Sequence, residues 1–534
     1  MGSNNSQIKL LDCTLRDGGH DIDCRFGKKV IRNIVEKLVQ SNVEIVELGF
    51  LKKEVYSEDA TIYNSVEQAK KIVKEYQEAK CEFALLAQQD QYDANLLPIN
   101  DGIINCIRVS FHINDYMEGL EFCRVAKEKG YKIYCNPINI MGYPDEKLLE
   151  LIDKVNALEP HTFTIVDTFG SMNHEDLRRI TYILLKNLNK NINLAVHLHE
   201  NMSLSYSLAQ DILSFNLNGR ELTIDASLRG MGRIPGNMPI ELISNYLNQN
   251  YGKNYDLDVI YDAIENNIDF FYRKLKWGYD PIYSLSGQFN IHRTYAEYLK
   301  DTGKLGAKDI RKILGDIPED KRVLYDAEYI YQAYLQYMSV PYDDADSINK
   351  LKMLFKNKEV VLIASGRSII FQKEDIEGFL KGKKDAVMIS VNFYSELHNC
   401  DFAFFSNVKR YGNCVGKRPE ITVLTSNLKR VSVGGETVVA YDKLCQKTDV
   451  IKERDNSLFM ILNLLSILEV SEVFLIGFDG YTSSGEDYYT SVYDNYIQPE
   501  PINADISRIL YSSFDMDNKI HFVTHSLYEK RRFL

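Results

Sequence analysis

Several features that mark specialised classes of protein are missing from this sequence of 534 residues. It has no long basic run, and its 63 Lys+Arg against 75 Asp+Glu give no support to a nucleic-acid partner. The densest apolar stretch, SLFMILNLLSILEV, is interrupted by Asn463, Ser466 and Glu469 and is too short to span a bilayer. We therefore predict a globular protein without a membrane span.

Cysteine is scarce and scattered. The nine cysteines form no C-x-x-C pair, and the start MGSNNSQIKLLDC lacks the charged-then-apolar pattern of a secretion signal. Dispersed thiols in odd number are typical of a reducing compartment, so we expect a cytoplasmic protein without a disulfide framework. The length alone predicts two or three domains.

The first half of the chain alternates between strand and helix patterns. Eight β-rich runs, from IKLLDC to LTIDASL, are separated mostly by segments of helical spacing such as KKVIRNIVEKLVQSN. This pattern predicts a (β/α)8 TIM barrel over residues 1–250. An open doubly wound sheet is the alternative, but RDGGHD lacks the G-x-G-x-x-G spacing expected after its first strand.

Polar side chains follow nearly every predicted barrel strand. Because the carboxyl ends of the strands form the active-site face of such barrels, we expect these residues to lie around one site. In chain order they are Arg16, Asp17 and His20, then Glu47, Arg108 with His112, Asn139, Asp167, His197 with His199, and Asp225 with Arg229. Among them, Glu47, Arg108, Asn139 and Asp167 are predicted to bind substrate.

The stretch VHLHEN points to a metal. His197 and His199 project to the same side of a strand because strand side chains alternate, and with Asp17 they form a mixed nitrogen and oxygen set. We predict a divalent ion there, Mn²⁺ first, with Mg²⁺, Co²⁺ or Zn²⁺ as alternatives. A lone histidine would more often be a satisfied core residue.

TLRDGGH (14–20), HLHEN (197–201) and DASLRGMGRIPGN (225–237) together resemble the DRE-TIM metallolyase superfamily, and within it the 4-hydroxy-2-oxovalerate aldolase family. The resemblance covers roughly residues 8–340. It implies that Asn201 binds substrate. It also implies a helical extension, residues 251–340, which supplies a catalytic tyrosine; WGYDPIYSLSGQFNIH offers Tyr283 for that role, with Tyr279 close by.

These residues suit a metal-dependent pyruvate aldolase acting on a 4-hydroxy-2-oxo acid. Arg16 would hydrogen-bond the enolate oxygen of pyruvate, and His20 would take the C4 hydroxyl proton. No lysine at a strand end suits the Schiff-base alternative. An acyl-CoA-dependent Claisen enzyme of the same superfamily is the second candidate function. The expected partners are a 2-oxo acid and an aldehyde, and we expect a homo-oligomer.

Two arginines stand out in GMGRIPGN and just before it. Arg233, with Arg229 upstream, occurs where many relatives have smaller residues. This glycine-rich loop either binds a substrate carboxylate or phosphate, or is a tight turn with surface arginines. We predict that Arg233 binds substrate.

Residues 341–534 predict a separate, Rossmann-like α/β domain. EVVLIASGRSI and EVFLIGFDGY place Ser365, Gly366, Ser368 and Asp479 in small-residue loops at strand ends, where a nucleotide or nucleotide sugar could bind. These motifs faintly resemble bacterial sialyltransferase-like and pterin-pyrophosphokinase-like domains. That resemblance implies a glycosyltransferase-like domain and a link to surface-glycan precursors; a noncatalytic docking domain is the alternative.

Overall fold

The computed structural model describes residues 7–412, 414, 418–450, 453–482, 488, 499–516 and 518–530. The chain forms two compact units: Met1–Ala296 with Ile317–Tyr325, and Glu297–Asp316 with Asp326–Leu534. The boundaries inferred from the sequence, 1–250, 251–340 and 341–534, stay predictions.

Eight parallel strands close into a barrel in the first unit, and a two-residue strand, the third in chain order, is added at one edge. The strands are β1 (Ile8–Asp12), β2 (Ile45–Leu51), β3 (Ile62–Tyr63), β4 (Glu82–Gln88), β5 (Cys106–Phe111), β6 (Lys132–Pro137), β7 (Thr162–Asp167), β8 (Asn193–Leu198) and β9 (Leu222–Ala226). β1 pairs with both β2 and β9, which closes the sheet. The predicted TIM barrel is confirmed.

Helices surround this barrel. They are α1 (Lys28–Gln40), α2 (Val66–Val73), α3 (Tyr116–Glu128), α4 (Asp145–Leu158), α5 (His174–Asn187), α6 (Ser205–Leu213) and α7 (Ile240–Tyr251). In α1 the buried side chains are Ile31, Ile34, Val35 and Leu38, the apolar face that its spacing predicts. Between β4 and β5 the only helical turn is Ala94–Leu96, a 3₁₀ turn.

The barrel interior is layered. At the amino ends of the strands, Lys9 Nζ lies 3.0 Å from Glu221 Oε2 and 3.4 Å from Glu82 Oε1. An apolar layer follows, made of Leu11, Cys13, Ile45, Ala84, Cys106, Tyr134 and Ala195. Because strand side chains alternate, the next inward residues on three of these strands are Glu47, Arg108 and His197. The polar site therefore rests on an apolar floor.

A helical extension follows α7. Its helices are α8 (Leu257–Ala263), α9 (Asp269–Leu275), α10 (Pro281–Gln288), α11 (Thr294–Asp301), α12 (Ala307–Gly315) and α13 (Ala327–Met338). The first three of these helices belong to the barrel unit, whereas α12 and α13 belong to the second unit.

The second unit contains a seven-stranded parallel sheet. Its elements are α14 (Ala345–Phe355), β10 (Glu359–Ile363), α15 (Ser368–Phe371), α16 (Lys373–Lys381), β11 (Val387–Val391), β12 (Phe402–Phe405), α17 (Val408–Gly412), β13 (Ile421–Thr425), β14 (Thr437–Val439), α18 (Tyr441–Leu444), α19 (Ser457–Ile467), β15 (Glu472–Ile476), α20 (Pro499–Ser513) and β16 (Ile520–Phe522). The strand order β14-β13-β12-β11-β10-β15-β16 reverses direction between β10 and β15. A separate parallel α/β domain is therefore confirmed.

α19 is the apolar stretch noted in the sequence, and it is buried on nearly all sides. Among the described residues, no helix combines the length and apolar character needed to cross a membrane. All nine cysteines lie in the described part of the chain, and all are free thiols.

Candidate functional site

Three side chains from opposite ends of the barrel sequence meet at the carboxyl end of the strands. Asp17 follows β1, and His197 and His199 lie at the end of β8, which reaches β1 through β9. One ligand atom from each residue lies within 4.8 Å of the others, and all three residues are buried. The period-two placement of the histidines brings both rings to one side, with centroids 4.8 Å apart.

The hydrogen bonds around these residues fit a divalent metal. His197 Nδ1 lies 3.0 Å from Asp225 Oδ2, and His199 Nδ1 lies 2.9 Å from the carbonyl oxygen of Asp167. Each Nδ1–H therefore donates to an oxygen, which leaves the Nε2 lone pairs available for a metal. Asp17 Oδ2 is buried without a hydrogen-bond partner among the described residues, 3.5 Å from His199 Nε2. The three residues thus form a potential divalent-metal site.

A chain of buried charges supports this site from below. Arg16 Nε donates to Glu47 Oε2 at 2.8 Å, and Arg108 Nη1 lies 3.2 Å from the same oxygen. Arg108 also donates to Asp225 Oδ2, the atom that holds His197. Glu47 and Arg108 are 0% and 1% exposed. Glu47 thus supports Arg16, and Arg108 supports His197 through Asp225. That Glu47 and Arg108 bind substrate stays a prediction.

Arg16 also fixes Asp17. Its Nη1 group donates to Asp17 Oδ1, so the other carboxylate oxygen is left for the metal site. Burial alone would raise the pKa of Asp17, but the adjacent Arg16 guanidinium and His199 lower it well below its usual value. The carboxylate is therefore held in the charged form that a metal ligand requires.

His20 lies on the same loop as Arg16 and Asp17. Its Nε2 is 3.5 Å from Asp17 Oδ1, and its ring packs edge-on against Phe50 with centroids 5.3 Å apart. The side chain is 29% exposed, so a substrate can reach it. Burial and the Arg233 guanidinium lower the pKa of His20 below its usual value, which favours the neutral imidazole.

Other predicted substrate-binding residues lie at the same end of the barrel. Asp167 is tied to the following turn, because its carboxylate accepts from the backbone N–H groups of Ser171 and Met172. Asn139 is 2% exposed, and both polar atoms of its side chain lack a hydrogen-bond partner among the described residues.

The helical extension reaches this region through Asn201. Its Nδ2 group donates to Ser286 Oγ at 3.2 Å and to the carbonyl oxygen of Tyr283 at 3.4 Å. Tyr283 and Ser286 both lie on α10. The extension is thereby attached to the strand end that carries the two histidines. The catalytic role of Tyr283 stays a prediction.

A small cavity opens beside the metal site. Its lining includes Phe169, His199, Asn201, Arg233, His292 and Arg293. One proposed metal ligand and two arginines therefore line the same cavity.

The two arginines of the glycine-rich loop have different environments. Arg229 donates to Asp269, and its guanidinium carbon lies 3.8 Å from the centre of the Tyr272 ring, so it is part of the loop's structure. Arg233 lines the cavity instead. Arg229 therefore fits the interpretation of the loop as a tight turn, and substrate binding by Arg233 stays a prediction.

Three residues at the site were not singled out by sequence reasoning. Asn237 pairs through its backbone with His199, and its buried Oδ1 has no hydrogen-bond partner in the part of the chain that the structure describes. His292 and Arg293 precede α11 and line the cavity. Asn237 ends the quoted motif DASLRGMGRIPGN, so that motif could have identified it; His292 and Arg293 have no periodic pattern that predicts their position.

In the second unit, the residues predicted to bind a nucleotide lie together at the strands where the sheet order reverses. Gly366 N donates to the carbonyl oxygen of Gly477 at 3.0 Å. Asp479 accepts from Ser368 N at 2.7 Å and from Ser368 Oγ at 2.5 Å, so its carboxylate covers the start of α15. Ser365 is 2% exposed beside them.

Comparison with known proteins places the barrel in a family. The HMGL-like family model matches residues 7–266. A 4-hydroxy-2-oxovalerate aldolase from Geobacillus genomosp. 3 is 25% identical over 330 residues, which are 60% of this chain and 95% of the relative. Another from Thermomicrobium roseum is 28% identical over 264 residues, 48% of this chain and 71% of the relative.

Among solved structures, an HMG-CoA lyase from Bacillus subtilis covers 51% of this chain and 94% of its own, with 16% identity and a TM-score of 0.39. The family match covers the barrel with its metal-site residues. Residues 7–266 therefore form an HMGL-like domain of the DRE-TIM metallolyase superfamily, and the protein is an enzyme of the lyase class.

Proposed function

We propose that the barrel unit makes or cleaves the C3–C4 bond of a 4-hydroxy-2-oxo acid, with pyruvate and an aldehyde as the two fragments. The observation that carries this proposal is the convergence of Asp17, His197 and His199, with Arg16 and His20 on the same loop. The relatives named 4-hydroxy-2-oxovalerate aldolase support the same reaction class.

Asp17, His197 and His199 would hold the ion, for which we propose Mn²⁺ because a mixed oxygen and nitrogen set suits it. A bound divalent ion would supply Lewis acidity toward the 2-oxo group of the substrate.

Arg16 is placed to stabilise charge on the 2-oxo acid. Its Nε and Nη1 groups are bound to Glu47 and Asp17, which fixes the plane of the guanidinium. The remaining Nη2 group can donate to the oxygen that becomes negative when the enolate forms. This donor is held in place before the reaction, so its orientation costs little during the chemical step.

His20 would act as the base. On cleavage, its neutral imidazole takes the proton of the C4 hydroxyl, the C3–C4 electron pair remains on the pyruvate fragment as an enolate, and the aldehyde leaves. Protonation of the enolate at C3 completes pyruvate. In the direction of synthesis, the protonated imidazole returns its proton to the new C4 alkoxide.

An acyl-CoA-dependent Claisen reaction is the alternative within the same superfamily. His20 favours the aldolase, since the resemblance places a histidine at this position in the aldolases. A requirement for coenzyme A separates the two candidates.

The test uses the purified full-length protein with a series of 4-hydroxy-2-oxo acids and no coenzyme A. We expect pyruvate to appear when Mn²⁺ is present, and we expect Asp17→Asn to lower both Mn²⁺ affinity and turnover. Pyruvate release that requires coenzyme A would overturn the assignment. Repeating the assay with Mg²⁺, Co²⁺ and Zn²⁺ identifies the preferred ion.

For the second unit, we keep a nucleotide or nucleotide sugar as the proposed ligand, and a role of the chain in making surface-glycan precursors. The support is topological: Ser365, Gly366 and Asp479 follow β10 and β15, where the strand order reverses and open α/β sheets bind ligands. Calorimetric titration of the full chain with nucleotides and nucleotide sugars tests it; no binding by any of them would favour the docking alternative. The cytoplasmic location and the homo-oligomeric state stay predictions.

A further inference from the structure

The cavity beside His199 contains a cation, Arg233, that has no ion-pair partner among the described residues. Arg233 lines this cavity and is half-buried. Its guanidinium makes no ion pair with any residue that the structure describes, whereas Arg16, Arg108 and Arg229 are each paired with a carboxylate. A half-buried charge of this kind is costly unless a partner satisfies it.

Asp21, one of the two carboxylates that act on Arg233, is already engaged. Asp21 Oδ1 accepts from Arg293 Nη2 at 2.7 Å, and Asp21 Oδ2 accepts from the backbone N–H of Ile234 at 2.8 Å. Arg293 Nη1 donates to the carbonyl oxygen of Ile234 at 2.9 Å. Asp21 and Arg293 therefore brace the loop, and Arg233 has no ion pair of its own among the described residues. Burial lowers the pKa of Arg233, whereas the carboxylates of Asp17 and Asp21 act on it from a distance and raise it.

The pKa of the neighbouring residue His292 reflects the same positive charge. Burial, Arg233 and Arg293 together lower the pKa of His292 to about 4. An anion in this cavity would offset the positive charge that disfavours protonation of this ring.

We infer that Arg233 binds an anionic group, a carboxylate or a phosphate, on the aldehyde fragment of the substrate. The inference rests on the proposed aldolase function and adds a substrate class to it. Arg16 serves the 2-oxo acid at Asp17, and Arg233 shares the cavity with His199, so a ligand bound at the metal site can extend to Arg233. A guanidinium can form paired hydrogen bonds to either anion.

The test compares aldehydes with and without an anionic group, in the direction of synthesis with pyruvate and Mn²⁺. Butanal is matched with succinic semialdehyde, and glycolaldehyde with glycolaldehyde phosphate. We expect kcat/KM to be about 10–100-fold higher for one or both anionic members, mainly through KM, as charged hydrogen bonds of this kind provide. The better of the two identifies the group as carboxylate or phosphate.

Arg233→Gln should lower kcat/KM for the preferred anionic aldehyde by about 10–100-fold, and far less for its neutral counterpart. Arg233→Lys should restore part of the difference because it keeps the charge without the planar fork. Arg25→Gln is the matched control, since Arg25 is an exposed arginine outside the cavity and its loss should change neither value. Equal losses for charged and neutral aldehydes, or no preference in the unsubstituted protein, would overturn the inference.

Two further measurements separate this inference from the proposed function. Exchange of the pyruvate methyl protons with D₂O needs no aldehyde, so its absence would contradict the aldolase assignment itself. Calorimetric titration with succinic semialdehyde and glycolaldehyde phosphate needs no turnover. If Arg233→Gln does not weaken the binding of either, the anion site is wrong whatever the exchange shows.

Discussion

His197 Nδ1 lies 3.0 Å from Asp225 Oδ2, and the buried guanidinium of Arg108 donates to the same oxygen. One carboxylate thus orients a proposed metal ligand and neutralises a cation that is 1% exposed. Burial alone would raise the pKa of Asp225, but Arg108 and His197 lower it overall, so this carboxylate is charged when it binds the imidazole. The metal site is therefore supported by an ion pair buried beneath it.

Asp225→Asn should weaken Mn²⁺ binding by about 10–100-fold, because the imidazole of His197 loses the charged acceptor that fixes its orientation. The same change leaves Arg108 buried with one carboxylate fewer, so the free energy of unfolding should fall by about 3–5 kcal/mol. Calorimetric titration with Mn²⁺ measures the affinity, and urea unfolding of the metal-free protein measures the stability.

Glu221→Gln is the control for this variant. Glu221 pairs with Lys9 at the opposite end of the barrel, so its loss should leave Mn²⁺ affinity unchanged. A folded Asp225→Asn protein that binds Mn²⁺ as tightly as the unsubstituted protein would show that Asp225 does not position His197.

His20→Ala should slow aldol cleavage by about 10²–10⁴-fold, the loss expected for a general base. Mn²⁺ affinity should change little, since His20 lies 3.5 Å from Asp17 Oδ1, the oxygen that Arg16 binds, and not among the three proposed ligands. Pyruvate release under saturating substrate gives the rate, and calorimetry gives the metal affinity.

His174→Ala provides the comparison for loss of a histidine away from the site. His174 lies on α5, where it contacts Asp211, so both rate and affinity should be retained. If His20→Ala protein loses its Mn²⁺ instead, His20 is a metal ligand and its assignment as a base is wrong.

The strands and helices of this barrel can be predicted from the sequence because the patterns that define them lie within short segments of the chain. Strand runs, the apolar face of α1 and the spacing of His197 and His199 all follow from periods of two and 3.6 residues. The convergence of Asp17 with the two histidines follows once the barrel is assumed, because β1 and β8 both lie next to β9.

The side chains that pair with one another within the site come from distant segments of the chain. The sequence therefore does not predict which of them pair. Glu47 binds Arg16 and Arg108 only because β2 lies between β1 and β4 in the closed sheet. Strand-end position alone therefore cannot separate a residue that faces substrate from one that is buried behind it. Asp479 likewise accepts from the start of α15, a contact that its sequence position does not predict, and its role in binding a nucleotide stays a prediction.

Lys304→Met should destabilise the second unit by about 3–5 kcal/mol at neutral pH. Asp455 is buried, and its carboxylate accepts from Lys304. It also accepts from the hydroxyls of Tyr334 and Tyr441, each of these two at 2.6 Å. Burial alone would raise the pKa of Asp455, but Lys304 and the two hydroxyls lower it overall. Removing the lysine would leave a buried carboxylate without its cation.

The sign of the pH dependence follows from that lowered pKa. The carboxylate stabilises the folded state above the pKa of an unfolded aspartate, about 3.9, and this contribution is lost as pH falls through the lower folded pKa. The stability difference between Lys304→Met and the unsubstituted protein should therefore shrink below about pH 4. Lys350→Met, at an exposed lysine, is the control. An equal difference at all pH values, measured by urea unfolding, would contradict the ion pair.

Exchange of the pyruvate methyl protons with D₂O, followed by ¹H NMR in metal-free protein before and after Mn²⁺ is added, tests the central claim most directly. It detects enolate formation without any choice of aldehyde and without coenzyme A. We predict no exchange above background in the metal-free protein, exchange when Mn²⁺ is restored, and none in Asp17→Asn at the same Mn²⁺ concentration. Exchange at the full rate without metal, or no exchange at saturating Mn²⁺ and pyruvate, would contradict the account.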